Sequence, residues 1–445
     1  MEATSIMSRS LLWGIPAFAM VAALGACTEK ASLEPAQQSG DAPPLPTAQE
    51  FLLPPMQVPM GVGWAQGQSP QVAPGLQIEK VAGGLMHPRQ LYVLPNGDVL
   101  VVESNGPGSE PVTTPKQLIA SKVKSLSGKG AKGGNRITLL RKNGAATGEW
   151  EKHVFIEHLH SPFGIQLIGD SLYVANTDAI VKFPYHPGDT QITATGVEIA
   201  DLPGTLNHHW TKALLASADG SKLYVGVGSN SNVGENGLEV EYRRAVILEV
   251  DLATRASRIY ASGIRNPTGL QWEPQTGKLW AIANERDEIG ADLVPDYLTA
   301  VQEGGFYGWP YCYFGQIVDR RVEAQRPDLV AKAVVPDYAL GSHVAPLGLW
   351  FSEKNALPEK YQGGAFISEH GSWDRSPLSG YEVVHIAFRQ GRPVGKPQTV
   401  VFGFYSADQK KLFGAPVGLA QDPEGALLIA DDVGNSVWRV TAGSH

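Results

Sequence analysis

Leu214-Leu215-Ala216-Ser217-Ala218-Asp219-Gly220-Ser221-Lys222-Leu223-Tyr224-Val225-Gly226-Val227 places two short apolar runs on either side of an Asp-Gly turn. Glycine takes the positive φ of a tight turn without a steric penalty, so the stretch reads as a β-hairpin. His209-Trp210-Thr211 leads into it. The same pattern starts at Met86-His87-Pro88-Arg89 and turns at Asn96-Gly97, and again starts at Ser161-Pro162-Phe163-Gly164 and turns at Gly169-Asp170. It returns from Arg265-Asn266-Pro267 through Thr276-Gly277, from His343-Val344-Ala345-Pro346 through Gly363-Gly364, and from Ala415-Pro416-Val417-Gly418 through Glu424-Gly425. Six hairpins, each with room for further outer strands, predict an all-β, six-bladed β-propeller. A two-sheet sandwich explains the strands but not the regular restart. Fifty glycines and thirty-two prolines in 445 residues agree with a turn-rich chain, and 43% hydrophobic residues suffice for a sizeable core. A net charge of −8 without a basic stripe gives no reason to expect a nucleic-acid partner.

The N-terminus reads as a targeting segment. Arg9 precedes an apolar run from Leu11 to Ala26, interrupted by Gly14 and Pro16, with the length of a signal-peptide core. Leu24-Gly25-Ala26-Cys27 resembles a bacterial lipobox, which predicts a lipoprotein signal peptide over 1–26 and lipidation of Cys27. Residues 27–76, rich in proline, are expected as a flexible tether, and 77–445 as the propeller. The product would be a lipoprotein of the cell envelope facing the periplasm, held at the outer membrane. Without Cys27 the sole remaining cysteine is Cys312, which cannot form an internal disulfide and reads as a buried, inert thiol. Two insertions, 105–135 and 318–335, read as surface decoration with helical pieces, the first overhanging the mouth of an active site.

In a propeller the segments leading into successive hairpins converge on one face around the central channel. His209 is therefore placed to accept a hydroxyl proton, or else to cap and pack. Arg265-Asn266 suits binding of a carboxylate, or else stabilises a turn; Arg89 is a similar cation. Asn284-Glu285-Arg286-Asp287-Glu288 offers oxygens for Ca²⁺, or is a solvated charge run. His343, His370, Trp373, Asp374 and Arg375 bracket the fifth hairpin and read as a site wall. The glycine-rich Gly304-Gly305-Phe306-Tyr307-Gly308-Trp309-Pro310 adds an aromatic turn. No helix-opening nucleotide fingerprint, G-x-S-x-G elbow or H-E-x-x-H motif is present, which argues against nicotinamide use and zinc hydrolysis. A histidine base beside fixed cations suits removal of a proton and a hydride from an alcohol next to an anionic cofactor.

From Leu76 to Val440 the chain resembles the soluble pyrroloquinoline-quinone (PQQ) sugar dehydrogenases. The resemblance rests on His209 followed by Asp219-Gly220, on Arg265-Asn266-Pro267-Thr268-Gly269-Leu270, and on the aromatic turn ending in Pro310. Glu369-His370-Gly371-Ser372-Trp373-Asp374-Arg375 and Ala430-Asp431-Asp432-Val433-Gly434-Asn435 look most like the L-sorbosone dehydrogenase branch. The resemblance implies PQQ flat on the top face, Ca²⁺ against its quinone oxygens, and His209 as base. It implies Arg265 and Asn266 as cofactor contacts, with Thr268, Arg89, His343, His370 and Arg375 completing the set and backbone oxygens of Glu285 and Arg286 on the metal. The expected substrate is an aldose or a sorbosone-like sugar aldehyde, its electrons passing to a periplasmic or membrane acceptor. Three positions depart from the family. Gly228-Ser229-Asn230 stands where glucose-oxidising members support the base with an aspartate. Asn284-Glu285-Arg286-Asp287 replaces their Gly-Pro metal pair. Gly414-Ala415-Pro416-Val417 replaces a cation, for which His370 or Arg375 would compensate. A metal-dependent lactonase-type propeller and a non-catalytic binding propeller are the alternatives.

Overall fold

The computed structural model describes residues 30–50, 56–108, 125–142, 150–205, 207–353 and 356–443. The quoted hairpin forms as read: Leu214–Ala216 pairs antiparallel with Lys222–Val227, Leu214 opposite Val225. Val246–Asp251 and Ser257–Ser262 add outward to complete a four-stranded blade. Six such sheets are present, as the repeats predict. Blade one runs from Pro88–Val93 to Trp150–Ile156, blade two from Gly164–Ile168 to Val197–Asp201, and blade four from Pro267–Trp272 to Tyr338–Ser342. Blade five runs from Pro346–Phe351 to Arg392–Phe402. Second strands such as Val99–Glu103, Leu279–Ala283 and Leu427–Asp431 are buried along their whole length. They lack the apolar–polar alternation of a half-exposed sheet because neighbouring blades cover both faces.

Blade six takes its fourth strand from the beginning of the chain. Pro416–Gln421, Leu427–Asp431 and Ser436–Ala442 are completed by Leu76–Ala82, with Ala82 opposite Val437 and Leu76 opposite Ala442. The sequence reading ended the last blade near Val440 and missed this closure, which pairs residues far apart in the chain.

Antiparallel order decides where the chemistry gathers. In each blade the start of the first strand, the end of the second, the start of the third and the end of the fourth lie at one end. Every connection between blades, and every connection from second to third strand, therefore opens on the same face.

The proline-rich segment departs from the expected tether. Over its described residues it is laid against the propeller. Asp292 accepts from Ser32 N at 2.6 Å, Ser32 Oγ at 2.7 Å and Gln38 Nε2 at 2.7 Å. Met60–Gly61 pairs with Lys411–Leu412, and Gln71–Val72 pairs with Phe402 and Val401 on the outer edge of blade five. Prolines kept the segment extended, but an unpaired sheet edge was open to receive it. Cys27 and the signal-peptide region lie outside the described residues. So does most of the helical piece expected at Lys116–Leu126. The 318–335 insertion holds only the four-residue helix Pro327–Val330, and it is not mere decoration: Asp319 is buried against Arg286. Cys312 is buried as expected, and burial pushes its thiol up to about 11.

Two predictions follow from these contacts. Gln38→Ala removes the amide that donates to Asp292 and accepts from Ser342 N. Limited proteolysis read by mass spectrometry should cut within residues 30–50 several-fold faster, leaving the propeller resistant. His385, in the core of blade five, has no partner for either ring nitrogen among the described residues and packs against Tyr361 and Phe366. Burial pushes its pKa from 6.5 down to about 4. The folded state thus binds fewer protons than the unfolded chain, so stability falls as pH drops from 6.5 toward 4. His385→Leu should flatten that fall, its advantage over wild type growing to about 3 kcal/mol at most in denaturant titrations near the acid end.

Candidate functional site

A cavity of about 670 Å³ opens on the common face, lined by residues from the strand-end connections of blades one, four, five and six and from the segment leading into blade three. His209 lines it, five residues ahead of the strand Leu214–Ala216. Its Nδ1 lies 2.9 Å from Ser229 O and 3.0 Å from Ser229 Oγ. Ser229 Oγ donates to Ser231 O at 2.6 Å, so Nδ1–H donates to the Ser229 carbonyl and the lone pair falls on Nε2. Ser229, in the stretch read as replacing a supporting aspartate, thus orients His209 instead. Gly228 is required for this approach: a Cβ there would lie 2.4 Å from His209 Cβ and 2.5 Å from Asn266 Oδ1. His208 also lines the cavity, its ring edge-on to His209 at 4.5 Å.

Arg265 shares the cavity with His209, but its guanidinium is committed to the protein. It donates to Glu285 O at 2.6 Å, Asn232 O at 3.1 Å and Asn232 Oδ1 at 2.9 Å, and reaches Asp287 at 3.3 Å. It ties together the loops that join the second and third strands of blades three and four. Asn266 does not line the cavity; its buried Oδ1 has no hydrogen-bond partner among the described residues. Thr268 is turned into the blade, where its hydroxyl donates to Pro346 O at 2.6 Å. Arg375 is also off the site, bonded to Ala291 O, Leu33 O and Asp292. Neither residue expected to compensate for the cation missing at Ala415 does so: Arg375 is off the site, and His370 lines the cavity as a neutral imidazole.

Asn284-Glu285-Arg286-Asp287 is not a solvated charge run. Arg286 is fully buried, paired with Glu285 at 3.1 Å and Asp319 at 3.1 Å, and does not reach the cavity. The Glu285 carbonyl expected on a metal already accepts from Arg265. The residues that could hold a cation lie beside it: one ligand atom each of Asp287, His343 and Asp374 fall within 4.8 Å of one another. His343 Nδ1 is 3.0 Å from Asp374 Oδ1 and 3.5 Å from Asp287 Oδ1, while Nε2 donates to Gly290 O at 3.0 Å. Burial disfavours its charge, but the two carboxylates outweigh that and raise the pKa to about 10, so His343 is an imidazolium at neutral pH. Asp296, also on the wall, accepts from Glu285 N and Ala345 N at 2.7 Å each, and burial raises it to about 7.

The opposite wall is organised by Asp432. Its Oδ2 accepts from Arg89 Nη1 and from His370 Nε2 at 2.9 Å, with His87 Nε2 at 3.5 Å. Burial works against the charge of Asp432, but His370, His87 and Arg89 hold its carboxyl well below the usual range. Burial lowers His370 to about 4 despite Asp432, and His87 is lowered by burial as well. The pair is thus an ionised aspartate and a neutral imidazole, with Arg89 supplying the countercharge. The guanidinium of Arg89 also lies 5.5 Å from the Trp210 ring. Lys129, from the first insertion, donates to Gly371 O at 2.7 Å and sits 4.2 Å from the ring of Tyr381, so this insertion does reach the mouth of the cavity.

Of the site residues expected from the sequence, His209, Arg265, Glu285, Arg89, His343 and His370 line the cavity. Sequence reasoning missed His87, Lys129 and Asp296, and it quoted Asp432 without a role. His87 precedes the first hairpin as His343 precedes the fifth, both at positive φ (61 and 63°), which was the available signal.

A profile of the TrAA12-like family matches residues 110–443. An uncharacterised protein of Borreliella burgdorferi is 30% identical over 293 residues, covering 63% of this chain and 76% of its own. A pyrroloquinoline quinone-dependent sugar dehydrogenase of Hypocrea jecorina is 21% identical over 416 residues, 82% of this chain and 87% of its own. The holo form of the pyranose dehydrogenase PQQ domain from Coprinopsis cinerea superposes with a TM-score of 0.67 at 20% identity, over 86% of this chain and all of that domain. With the family profile spanning four of the six blades entire, three strands of blade six and two of blade one, the chain belongs to the TrAA12-like family.

Proposed function

We propose that this protein is a PQQ-dependent sugar dehydrogenase that oxidises an aldose or a sorbosone-like sugar aldehyde, as hydrate or hemiacetal, through a histidine base. The observation that carries the reading is the convergence of His209, Arg89 and His370 from blades three, one and five on one cavity of about 670 Å³. That volume suits a flat tricyclic cofactor. A tricarboxylate also needs cations despite an acidic chain, and Arg89, Lys129 and the His343 imidazolium line the wall. Arg89 Nε, buried without a hydrogen-bond partner among the described residues, marks unused donor capacity there. Quinone-dependent relatives favour the same cofactor.

When bound, the quinone supplies the two-electron oxidant that takes the carbon-bound hydrogen of the substrate. The remaining work falls to the chain. Arg89, Lys129 and His343 hold anionic groups, and Trp210, Trp373 and Tyr381 wall out water. A neutral imidazole takes the hydroxyl proton. Ca²⁺, a hard cation that takes oxygen ligands, would be held by Asp287 and Asp374 rather than by the Glu285 and Arg286 carbonyls, and would take over from the His343 imidazolium the positive charge those carboxylates face. The Leu24–Cys27 motif supports lipid anchoring in the envelope, with electrons delivered to a periplasmic or membrane acceptor.

Titration of the purified protein with PQQ, with and without Ca²⁺, tests this by absorbance and calorimetry, followed by dye reduction with L-sorbosone and several aldoses. One quinone should bind per chain and at least one sugar should be turned over. Absence of quinone binding rejects the reading. Lys129→Gln, which removes a wall cation, should weaken quinone binding by about tenfold.

A further inference from the structure

The segment ahead of blade one meets the cavity face twice. Ala31 N donates to Ser376 O at 2.8 Å, the Asp292 carboxylate accepts from Ser32 N and Oγ, and Arg375 Nη2 donates to Leu33 O at 2.9 Å. Asp292, Arg375 and Ser376 belong to the second-to-third strand connections of blades four and five. Four residue steps lead from Ala31 back to Cys27, at most about 14 Å of extended chain. The segment returns at the cavity mouth, where Val58 lines the cavity. Met60 N donates to Lys410 O, Gly61 N to Leu126 O and Val62 N to Leu412 O, each at 2.8 Å. Gly61 turns inward in this extended run: a Cβ there would lie 2.3 Å from Ser127 O. Met60 and Val62 therefore point outward, 58% and 49% exposed, beside Leu126 at 58%. Lys132, Lys410 and Lys411 stand exposed in the same connections as Leu126 and Leu412. Asp408, two residues from Lys410, is turned back onto Ser406 Oγ and Lys410 N.

We propose that the Met60, Val62 and Leu126 patch seats the cavity face on an anionic lipid surface, holding the propeller mouth-down rather than free on a long tether. The inference rests on the lipid-anchoring reading for the tether and on the patch for the seat. Three large apolar side chains standing together in water are withdrawn from it when they enter a headgroup layer. The chain as a whole carries −8 and is repelled by anionic lipid, so attraction has to be local. Lys132, Lys410 and Lys411 supply it beside the apolar side chains. The tether argues independently for lipid over a protein partner. An acyl chain on Cys27, within about 14 Å of Ala31, brings the bilayer it enters against this face. The hairpin turns at the other end of the blades lie a strand length further off, about 17 Å or more. The cavity mouth, bordered by Val58 and Ser127, then opens beside the headgroups.

Energy transfer to a rhodamine-labelled lipid tests the orientation. Donor dyes go on Asn236→Cys, exposed on the cavity face in the second-to-third connection of blade three, or on Gln275→Cys, exposed in the hairpin turn at the other end of blade four. Cys312 is buried and does not compete for the dye. The full processed chain is inserted into vesicles of phosphatidylethanolamine and phosphatidylglycerol, with acylation of Cys27 read by intact mass. Transfer from position 236 should exceed that from 275 by about threefold or more, given the strand length between the two ends. Met60→Ser combined with Leu126→Ser should bring the ratio toward about one, and so should replacing phosphatidylglycerol by phosphatidylcholine. Both substituted side chains are exposed, so the fold is not at stake. A wild-type ratio near one, the result expected of a patch that serves a protein partner, overturns the proposal. So does a ratio that survives either change. A mass without acyl groups rejects the lipoprotein reading instead, and the seat is then decided by sedimentation with phosphatidylglycerol vesicles. The wild type should pellet several-fold more than the double variant, and a wild type left in the supernatant overturns the proposal.

Discussion

The pairing of Leu76–Ala82 with Ser436–Ala442 is the constraint on which the site depends. A ring of six blades has a seam, and this antiparallel pair seals it with backbone hydrogen bonds between the two ends of the propeller. Five residues after the closing strand, the chain supplies His87 and then Arg89. Both meet Asp432, which lies just before the strand that the closing strand pairs with. Closure of the fold and assembly of one cavity wall are therefore the same event. The seam carries the most concentrated buried electrostatics of that wall, so opening the ring would separate Arg89 from Asp432 and leave each desolvated without its partner, a costly state.

Buried charge elsewhere follows the same rule. Arg286 is enclosed by Glu285 and Asp319, Arg375 by Asp292, and Arg265 by Asn232, Asp287 and two carbonyls. Arg265 and Arg375 draw partners from different connections on the top face, and Arg286 joins its own loop to the 318–335 insertion, so these contacts brace loops that the sheets alone would leave loosely held. This explains why irregular segments can present a defined cavity. It also explains why three arginines that look like ligand-binding cations in one dimension differ in what they can offer. Arg375 is consumed by the scaffold. Arg265 borders the cavity with its donors already engaged, and Arg89 retains an unpartnered Nε.

The fold was legible because its signal is local: an Asp-Gly or Asn-Gly turn between apolar runs needs no knowledge of the rest of the chain. The site was half legible for a related reason. His209, Arg89, His343 and His370 adjoin strand ends, and antiparallel order sends those ends to one face. Thr268 lies one residue into the strand Pro267–Trp272, where the pleat turns it onto the neighbouring blade. Asp431 and Asp432 separate in the same way. Asp431 ends its strand and accepts from Trp64 and Trp438 inside the core, whereas Asp432 begins the loop and serves the cavity. Nothing in the pair of letters says which carboxylate goes where. The engagement of Arg265 by Asn232, and the capture of the proline-rich segment by the edge of blade five, are likewise long-range facts with no local signature.

Two of the buried histidines of the cavity walls, His343 and His370, differ in charge because their neighbours differ, not because one is more deeply buried. His343 faces two carboxylates and keeps its proton. His370 faces one carboxylate that Arg89 already neutralises, so desolvation prevails and the ring stays neutral. One wall consequently presents a fixed positive charge and the other an uncharged nitrogen lone pair. A single histidine could not present both, because the electrostatics that favour an imidazolium leave it no lone pair. Dividing the two states between blades four and five on one side and blades five, six and one on the other lets each environment be set separately, which only a closed ring of strand ends allows.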